Sequence, residues 1–332
     1  MFPRLSRRRF IGVTAAAAGL GFVPFGSAAG AEAHLVTWRG QVMGAVATLQ
    51  VHHHDRAAAE RLVERSLAEV RRLEAVFSLY RDDSALVTLN RQGILIAPPS
   101  DLVALLGECH RCWELTGGAF DPTVQSLWVL YRDHFSQPDT DLQGPPPPMV
   151  RDALERVGFG RVAFDRNRIV LPRHGMGLTL NGIAQGYVTD RVVDILRKGG
   201  IASSLVDMGE PRALGARPSG EPWRVGIADP DRPGEVGETV EAAGRAVATS
   251  GGYGFRFDPA GRFNHLLDPR SGASAHLYRS VTVLLPTATA ADALSTAFSL
   301  LPPEDIGQTL QRLGEGKVHL VPASGGAIML EA

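Results

Sequence analysis

The sequence predicts an α+β fold, and three observations lead there. Candidate strands crowd the second half of the chain. Helices interrupt them irregularly, not in a repeating strand–helix–strand order. Turn formers are abundant, with 37 glycines and 22 prolines in 332 residues. The balance of 44% hydrophobic and 21% charged residues is that of an ordinary globular protein. Such a length accommodates one large or two modest domains around a sizeable core. A formal net charge of −1 argues against nucleic acid as a partner, because phosphate binding needs a basic face.

Residues 1–31 read as an export signal rather than as part of the fold. Ser6-Arg7-Arg8-Arg9-Phe10-Ile11 opens a mildly apolar run to about Phe25, followed by small residues and the triplet Ala29-Gly30-Ala31. This is the pattern of a twin-arginine signal, and it predicts a folded protein delivered to the bacterial periplasm. The apolar run is too short and too rich in alanine and glycine for a stable membrane span.

Two strands follow, about 34–41 and 45–52, with "VMGA" between them. Leu62, Ser66, Leu67, Val70, Leu73 and Phe77 recur at helical spacing and predict a helix from Asp55 to about Val76. Ser84 caps a short helix ending near Gly93. "SDLVALLGECHRCWELTGG" reads as another, with Ser100 as N-cap and Gly117 as C-cap. It carries the two cysteines, Cys109 and Cys112. A CxxC inside a helix with no strand before it reads as structural, and Trp113 stands where haem attachment would need histidine. Asp121 is placed to cap a helix with Pro122 at its first position. The proline-rich stretch 136–149 is the expected seam between subdomains.

Strands are expected at 160–165, 168–172, 204–208, 223–228, 245–249, 262–267, 279–285 and 317–321, with helices at 183–198, 289–300 and 303–313. Four stretches carry possible chemistry. "TGGAFDPT" is a glycine turn feeding a capped helix. In "LNGIAQGYVTDRV" a helix is expected to start at Asn181-Gly182 after a short strand "LTL", with Gly186 permitting close approach to its first turn. In "TATAADALSTA", Asp292 and Thr296 share a helical face; they read either as oxygen donors for Mg²⁺ or, for Asp292, as part of a capping box with Thr289. In "RFNHLLDPRSG", His265 is either satisfied by backbone or faces a site.

Taken together, "VMGAVATL", "RLEAVFSLYRDDSALVTLNRQG", "GGAFDPTV", "GIAQGYVTDRV", "VATSGGY", "HLLDPRSG" and "SVTVLLPTATAADALSTA" resemble, in order and over nearly all the chain after residue 31, the ApbE-type FAD:protein FMN transferases. The resemblance implies a single catalytic unit of two intimately packed subdomains with mixed or antiparallel sheets and flanking helices. It also implies a reaction: FAD is cleaved, FMN is attached through its phosphate to a Ser or Thr of another protein, and AMP leaves. Asp292 and Thr296 match the family's side-chain ligands for Mg²⁺, and Gly182 the position that adds a backbone carbonyl. Met43, Tyr80, Ala119, Phe120, Asp121 and Leu266 match flavin-contacting positions. His265 matches the proposed base, and Asp268 is placed to orient it.

There are departures. Thr179 replaces a usual acid, Gln185 a common lysine near the diphosphate, and Gly209-Glu210-Pro211 a usual Gly-Gly-Asp. These leave two alternatives open: a non-catalytic flavin-binding or maturation factor, and an FAD pyrophosphatase. With the export signal, the motifs look like the NosX branch, whose expected acceptor is the membrane regulator NosR.

Overall fold

The computed structural model describes residues 33–232 and 234–332; the expected export signal lies outside the described residues. The sequence-predicted α+β class holds. Its centre is an eight-stranded sheet in the order β1 (His34–Val42), β2 (Ala45–His53), β6 (Ser203–Asp207), β7 (Pro211–Leu214), β10 (Ala246–Ser250), β11 (Tyr278–Leu285), β12 (Lys317–Pro322), β13 (Ile328–Glu331). Neighbouring strands pair antiparallel. The β1–β2 hairpin turns on Met43-Gly44, both at positive φ, as a tight two-residue hairpin turn requires.

Helices α1 (Arg56–Phe77), α6 (Ala184–Lys198) and α7 (Ala288–Phe298) pack on the sheet and on one another. Asp55 caps α1 by accepting from the Ala58 N–H at 3.0 Å. The buried stripe of α1 includes Val63, Ser66, Val70, Leu73 and Phe77. α2 (Ala85–Gln92) is capped by Ser84 and closed by Gly93 in the left-handed region, as its sequence predicts. Among the described residues no helix is long and apolar enough to cross a membrane.

β3 (Ile94–Ile96), β4 (Ala163–Phe164) and β5 (Arg168–Val170) make a small second sheet, and β8 (Arg224–Ala228) pairs with β9 (Val236–Glu241) as a separate ribbon. α3 (Ser100–Leu115) places both cysteines, free and buried, against the main core. α4 (Gln125–Phe135) and α5 (Pro147–Leu154) flank the proline-rich loop and share a cluster built on Leu127, Tyr131, Ala153 and Leu267. α8 (Pro303–Leu313) precedes β12.

Several expectations are corrected. Residues 262–267 form no strand; two isolated bridges, Arg256↔Asn264 and Leu267↔Ser274, replace it. The reason is local, since the N–H groups of Phe263, Asn264 and Leu266 are taken by the side chains of Asp258, Ser274 and Asn264 instead of a ladder. "LTL" at 178–180 is extended but unpaired as a strand, because Asn90 brackets Leu178 from both sides, donating to its carbonyl and accepting from its N–H. The helix after it begins at Ala184, not at Asn181. Ser100 is the first residue of α3 rather than its cap, and Thr116 closes it ahead of Gly117. Sequence reasoning missed α5, β3, β7, β9 and β13. α5 hides in a proline run, where proline suits only the first helical turn, and β9 carries three glutamates or threonines in six residues on an exposed ribbon.

Candidate active site

One cavity of about 550 Å³ gathers most of the residues singled out from sequence. Its floor belongs to α6 and α7. Gly182, Gln185, Asp292 and Thr296 line it together. A Cβ at 182 would stand 2.8 Å from the Thr296 hydroxyl oxygen, so only glycine lets the backbone there come up against that side chain. Asp292 turns inward and is buried, and its Oδ2 accepts from the Gly186 N–H at 3.0 Å. Gly186 makes room not for a ligand or a strand, as expected, but for α7. A Cβ there would lie 2.8 Å from the Thr289 nitrogen and closer still to the Ala288 carbonyl.

The capping question resolves in the same place. Thr287 caps α7, accepting from the Ala290 N–H, while the Thr289 hydroxyl donates to Asp190. Asp292 is therefore free of a capping role and faces the cavity.

Beside this floor stands a second acid, Glu210, in the cavity wall. Burial pushes its carboxyl well above the usual range, and the charges of Asp292 and Asp207 add to the effect. Burial also raises the carboxyl of Asp292, opposed by the Gly186 N–H. A floor of buried carboxyls with raised proton affinity is a place where a cation is favoured. Among the described residues no group of three His, Cys, Asp or Glu side chains could enclose a metal ion. The floor offers oxygens of another kind, the Asp292 carboxylate and the Thr296 hydroxyl, with Gly182 beside them.

Another part of the wall is an irregular strap, residues 251–275, carrying Tyr253, Phe255, His265 and Leu266 to the cavity. His265 does not end a strand. Its ring Nδ1 lies 3.2 Å from the Phe255 carbonyl. With Nδ1–H donating there, Nε2 is left as the acceptor. Burial lowers the pKa of the imidazole, with the Phe255 bond opposing, so the ring is neutral near pH 7.

Asp268 corrects an expectation. It does not orient His265 and is not on the cavity wall, because its carboxylate is spent on Arg270, accepting from the backbone N–H at 2.8 Å and from Nε at 2.9 Å. It stabilises the turn that follows.

Ala119, Phe120 and Asp121 form a third wall. The Asp121 carboxylate is committed to its own turn and to the next segment, accepting from the Thr123 N–H at 2.8 Å, the Thr123 hydroxyl and the Phe159 N–H at 2.9 Å. Thr179 lies alongside, its N–H donating to the Pro122 carbonyl at 2.8 Å. Gln185 packs against Gly209, where a Cβ would meet it at 2.7 Å. Tyr80 stands at the rim, 53% exposed, with the Asn181 side-chain amide 3.4 Å from its hydroxyl. Met43 does not join the cavity wall; its N–H donates to Glu74 at 2.5 Å from the β1–β2 turn.

Sequence reasoning missed Trp128 and Phe255 as lining residues, and it placed Ser250 and Tyr253 only within the stretch "VATSGGY", with no role of their own. Trp128 sits within an aromatic cluster with Phe255 and Phe257 and carries no sequence signal beyond that of a core residue. Glu210 is legible in the sequence only as a departure from a motif.

Comparison with known proteins points one way. The model of the ApbE family matches residues 43–320. The FAD:protein FMN transferase of Treponema pallidum is 34% identical over 288 residues, 78% of this chain and 77% of its own. That of Haemophilus influenzae is 30% identical over 288 residues, 81% of this chain and 82% of its own. Among solved structures, the flavinyl transferase ApbE of Pseudomonas stutzeri superposes with a TM-score of 0.74 at 29% identity, covering 91% of this chain and 95% of the other. The ApbE protein of Thermotoga maritima gives 0.76 at 27%, covering 90% and 97%. Fold, order of motifs and relatives agree over nearly the whole described chain, which therefore belongs to the ApbE family.

Proposed function

We propose that this chain, like those relatives, is an FAD:protein FMN transferase. It takes FAD as substrate and attaches FMN to a Ser or Thr hydroxyl of an acceptor protein, with release of AMP. The carrying observation is that a single cavity is lined by His265 together with Asp292, Thr296 and Gly182. In the transfer, the acceptor hydroxyl oxygen bonds to the FMN-side phosphorus. The bond from that phosphorus to the AMP oxygen breaks, AMP keeps the electron pair, and His265 Nε2 receives the hydroxyl proton. Asp292, Thr296 and the Gly182 carbonyl are the residues that would hold Mg²⁺, which when bound neutralises charge on the diphosphate.

Tyr80, Ala119, Phe120, Asp121, Thr179, Gln185 and Leu266 are the flavin-side residues in this reading. Tyr80 supplies an exposed ring for stacking. Phosphoryl transfer depends on alignment and charge stabilisation. The acceptor must therefore present its hydroxyl on a segment slim enough to enter.

The twin-arginine pattern supports a periplasmic site of action, and the motif set favours the NosX branch with a NosR-type acceptor. Gln185 and Thr179 favour the second reading, a non-catalytic flavin carrier, because each removes a charge that the family usually has near FAD. One experiment separates these and the pyrophosphatase. The chain from residue 32 is incubated with FAD, Mg²⁺ and a periplasmic fragment of a NosR-type protein, then followed by in-gel flavin fluorescence and by release of AMP and free FMN. Transfer gives a fluorescent acceptor band with AMP. Free FMN with AMP and no band means hydrolysis; bound, uncleaved FAD means a carrier.

A further inference from the structure

The two helices that form the cavity floor meet at two rungs. At the first, Gly186 of α6 donates its N–H to Asp292 of α7. At the second, one turn further along α6, Asp190 reaches the first turn of α7. Its Oδ1 accepts from the Ala288 N–H at 2.9 Å, and its Oδ2 from the Thr289 N–H at 2.9 Å and the Thr289 hydroxyl at 2.6 Å. A third element completes the grip, since Arg212 of β7 donates to Asp190 Oδ1 at 2.5 Å. Asp190 and Arg212 are 7% and 9% exposed, so the pair is held away from water.

Helix α7 has its own cap, Thr287, but that bond is long at 3.4 Å. The carboxylate of a neighbouring helix thus takes the N-terminal N–H groups of α7. The charge suits that end of the helix. Ala288 and Asp292 lie four residues apart, on one face of α7, and Thr296 four further on. Whatever fixes Ala288 and Thr289 therefore fixes the rotation and rise at which Asp292 and Thr296 face the cavity.

We propose that Asp190, counter-charged by Arg212, is a positioning residue for the cation site. It touches neither substrate nor cation; it sets the register of α7 against α6 so that Asp292 and Thr296 converge with Gly182. The proposal rests on the reading of Asp292 as a cation ligand. Buried carboxylates that orient ligands from behind typically carry about 10- to 100-fold of metal affinity.

The test is titration of the chain from residue 32, without FAD, with Mn²⁺ followed by its electron paramagnetic resonance signal. Three variants are run beside the parent. Asp190→Asn weakens Mn²⁺ binding by about 10-fold or more, and FMN transfer recovers toward the parent rate when Mg²⁺ is raised. Thr287→Ala, which removes only the ordinary cap, lowers the melting temperature and leaves Mn²⁺ affinity unchanged. Asp292→Asn abolishes the binding. If Asp190→Asn does not fold, Thr289→Val replaces it; that variant loses one of the bonds to Asp190 and weakens Mn²⁺ binding in the same direction.

Unchanged Mn²⁺ affinity in folded Asp190→Asn, or in Thr289→Val where it stands in, overturns the proposal. So does equal weakening by Thr287→Ala. If Asp292→Asn leaves the binding intact, the ligand reading itself fails and the proposal falls with it. If Asp292→Asn abolishes binding and Asp190→Asn does not weaken it, only the positioning role fails.

Discussion

The α6–α7 floor and the 251–275 strap both line the cavity, and their backbones differ in regularity. On the floor, two regular helices meet closely, and the Asp292 and Asp190 carboxylates each take backbone N–H groups of the other helix. Gly186 has no side chain in the way of the Ala288 carbonyl, and regular helices carry Asp292 and Thr296 to a shared face. On the strap the backbone is irregular and side chains take the place of a ladder. Asn264 donates to the Ala275 carbonyl and accepts from the Leu266 N–H, and Ser274 is both acceptor and donor to the Asn264 backbone. A cation site needs fixed oxygens, which rigid helices supply. In the proposed reaction, the base beside an incoming protein substrate would sit on the element with fewer regular constraints.

Substitutions on the two sides should separate binding of the cation from transfer. The largest effect is at His265. His265→Ala loses about 10²–10⁴-fold in transfer, the usual worth of a general base, while FAD affinity measured by flavin fluorescence stays within a few-fold of the parent. Comparable losses in both quantities would return His265 to a binding or structural role.

Next comes the floor. Gly186→Ala drives a methyl into the α7 backbone, and overpacking of this kind costs about 1–3 kcal/mol. Mn²⁺ affinity and transfer fall together, because the rung that holds Asp292 is forced apart. A variant with parent Mn²⁺ affinity would show that the helices yield without moving the ligand.

Asn264→Ala acts on the strap, and its effect on the cation site is the smaller. It leaves the Ala275 carbonyl and the Leu266 N–H without their partner, at about 1–3 kcal/mol for a buried group left unpaired. Transfer slows and the melting temperature drops, but Mn²⁺ affinity is retained. Loss of Mn²⁺ binding in this variant would mean that strap and floor are one unit.

The smallest effect is in pH dependence. Burial pushes the Asp207 carboxyl up to about 6, with the Gly209 N–H opposing. A carboxyl whose folded pKa is raised binds protons more tightly in the folded state than in the unfolded one. Its stabilising contribution is full below the unfolded value near 4 and is lost as pH rises through about 6. Without divalent cation, the melting temperature rises by a few degrees between pH 7 and pH 5, with Asp292 and Glu210 contributing in the same direction, and Asp207→Asn makes that rise smaller. A melting temperature that falls over this window in the parent and not in the variant would reverse the sign.

The same contrast explains what is legible in the sequence. The floor is legible because helical spacing puts residues four apart on one face, and that spacing alone pairs Asp292 with Thr296. Its N-terminal cap is not, since Thr289 has the pattern of a cap, yet its hydroxyl goes to Asp190, 99 positions away in the chain, and Thr287 caps instead. The strap reads as a strand and is not one. Its apolar pair, Leu266-Leu267, has the composition of a strand, and nothing local announces that Asp258 and Ser274 take the neighbouring N–H groups. Asp268 is close to His265 in sequence, which suggests an orienting role, yet Arg270 is nearer in space and wins its carboxylate. The aromatic neighbours Trp128 and Phe255 leave no trace of each other in the sequence, because their meeting is a product of the tertiary fold.

The proposed reaction divides the labour, with the cation on the helical floor, the base on the strap and the diphosphate between them. A crystal structure of the chain with FAD and Mn²⁺, read by anomalous scattering, tests it most directly. The expected result is one Mn²⁺ peak bounded by the Asp292 carboxylate, the Thr296 hydroxyl and the Gly182 carbonyl, with the diphosphate between it and His265. A peak held instead by Glu210 and Asp207, or a diphosphate seated beyond reach of His265, would contradict it.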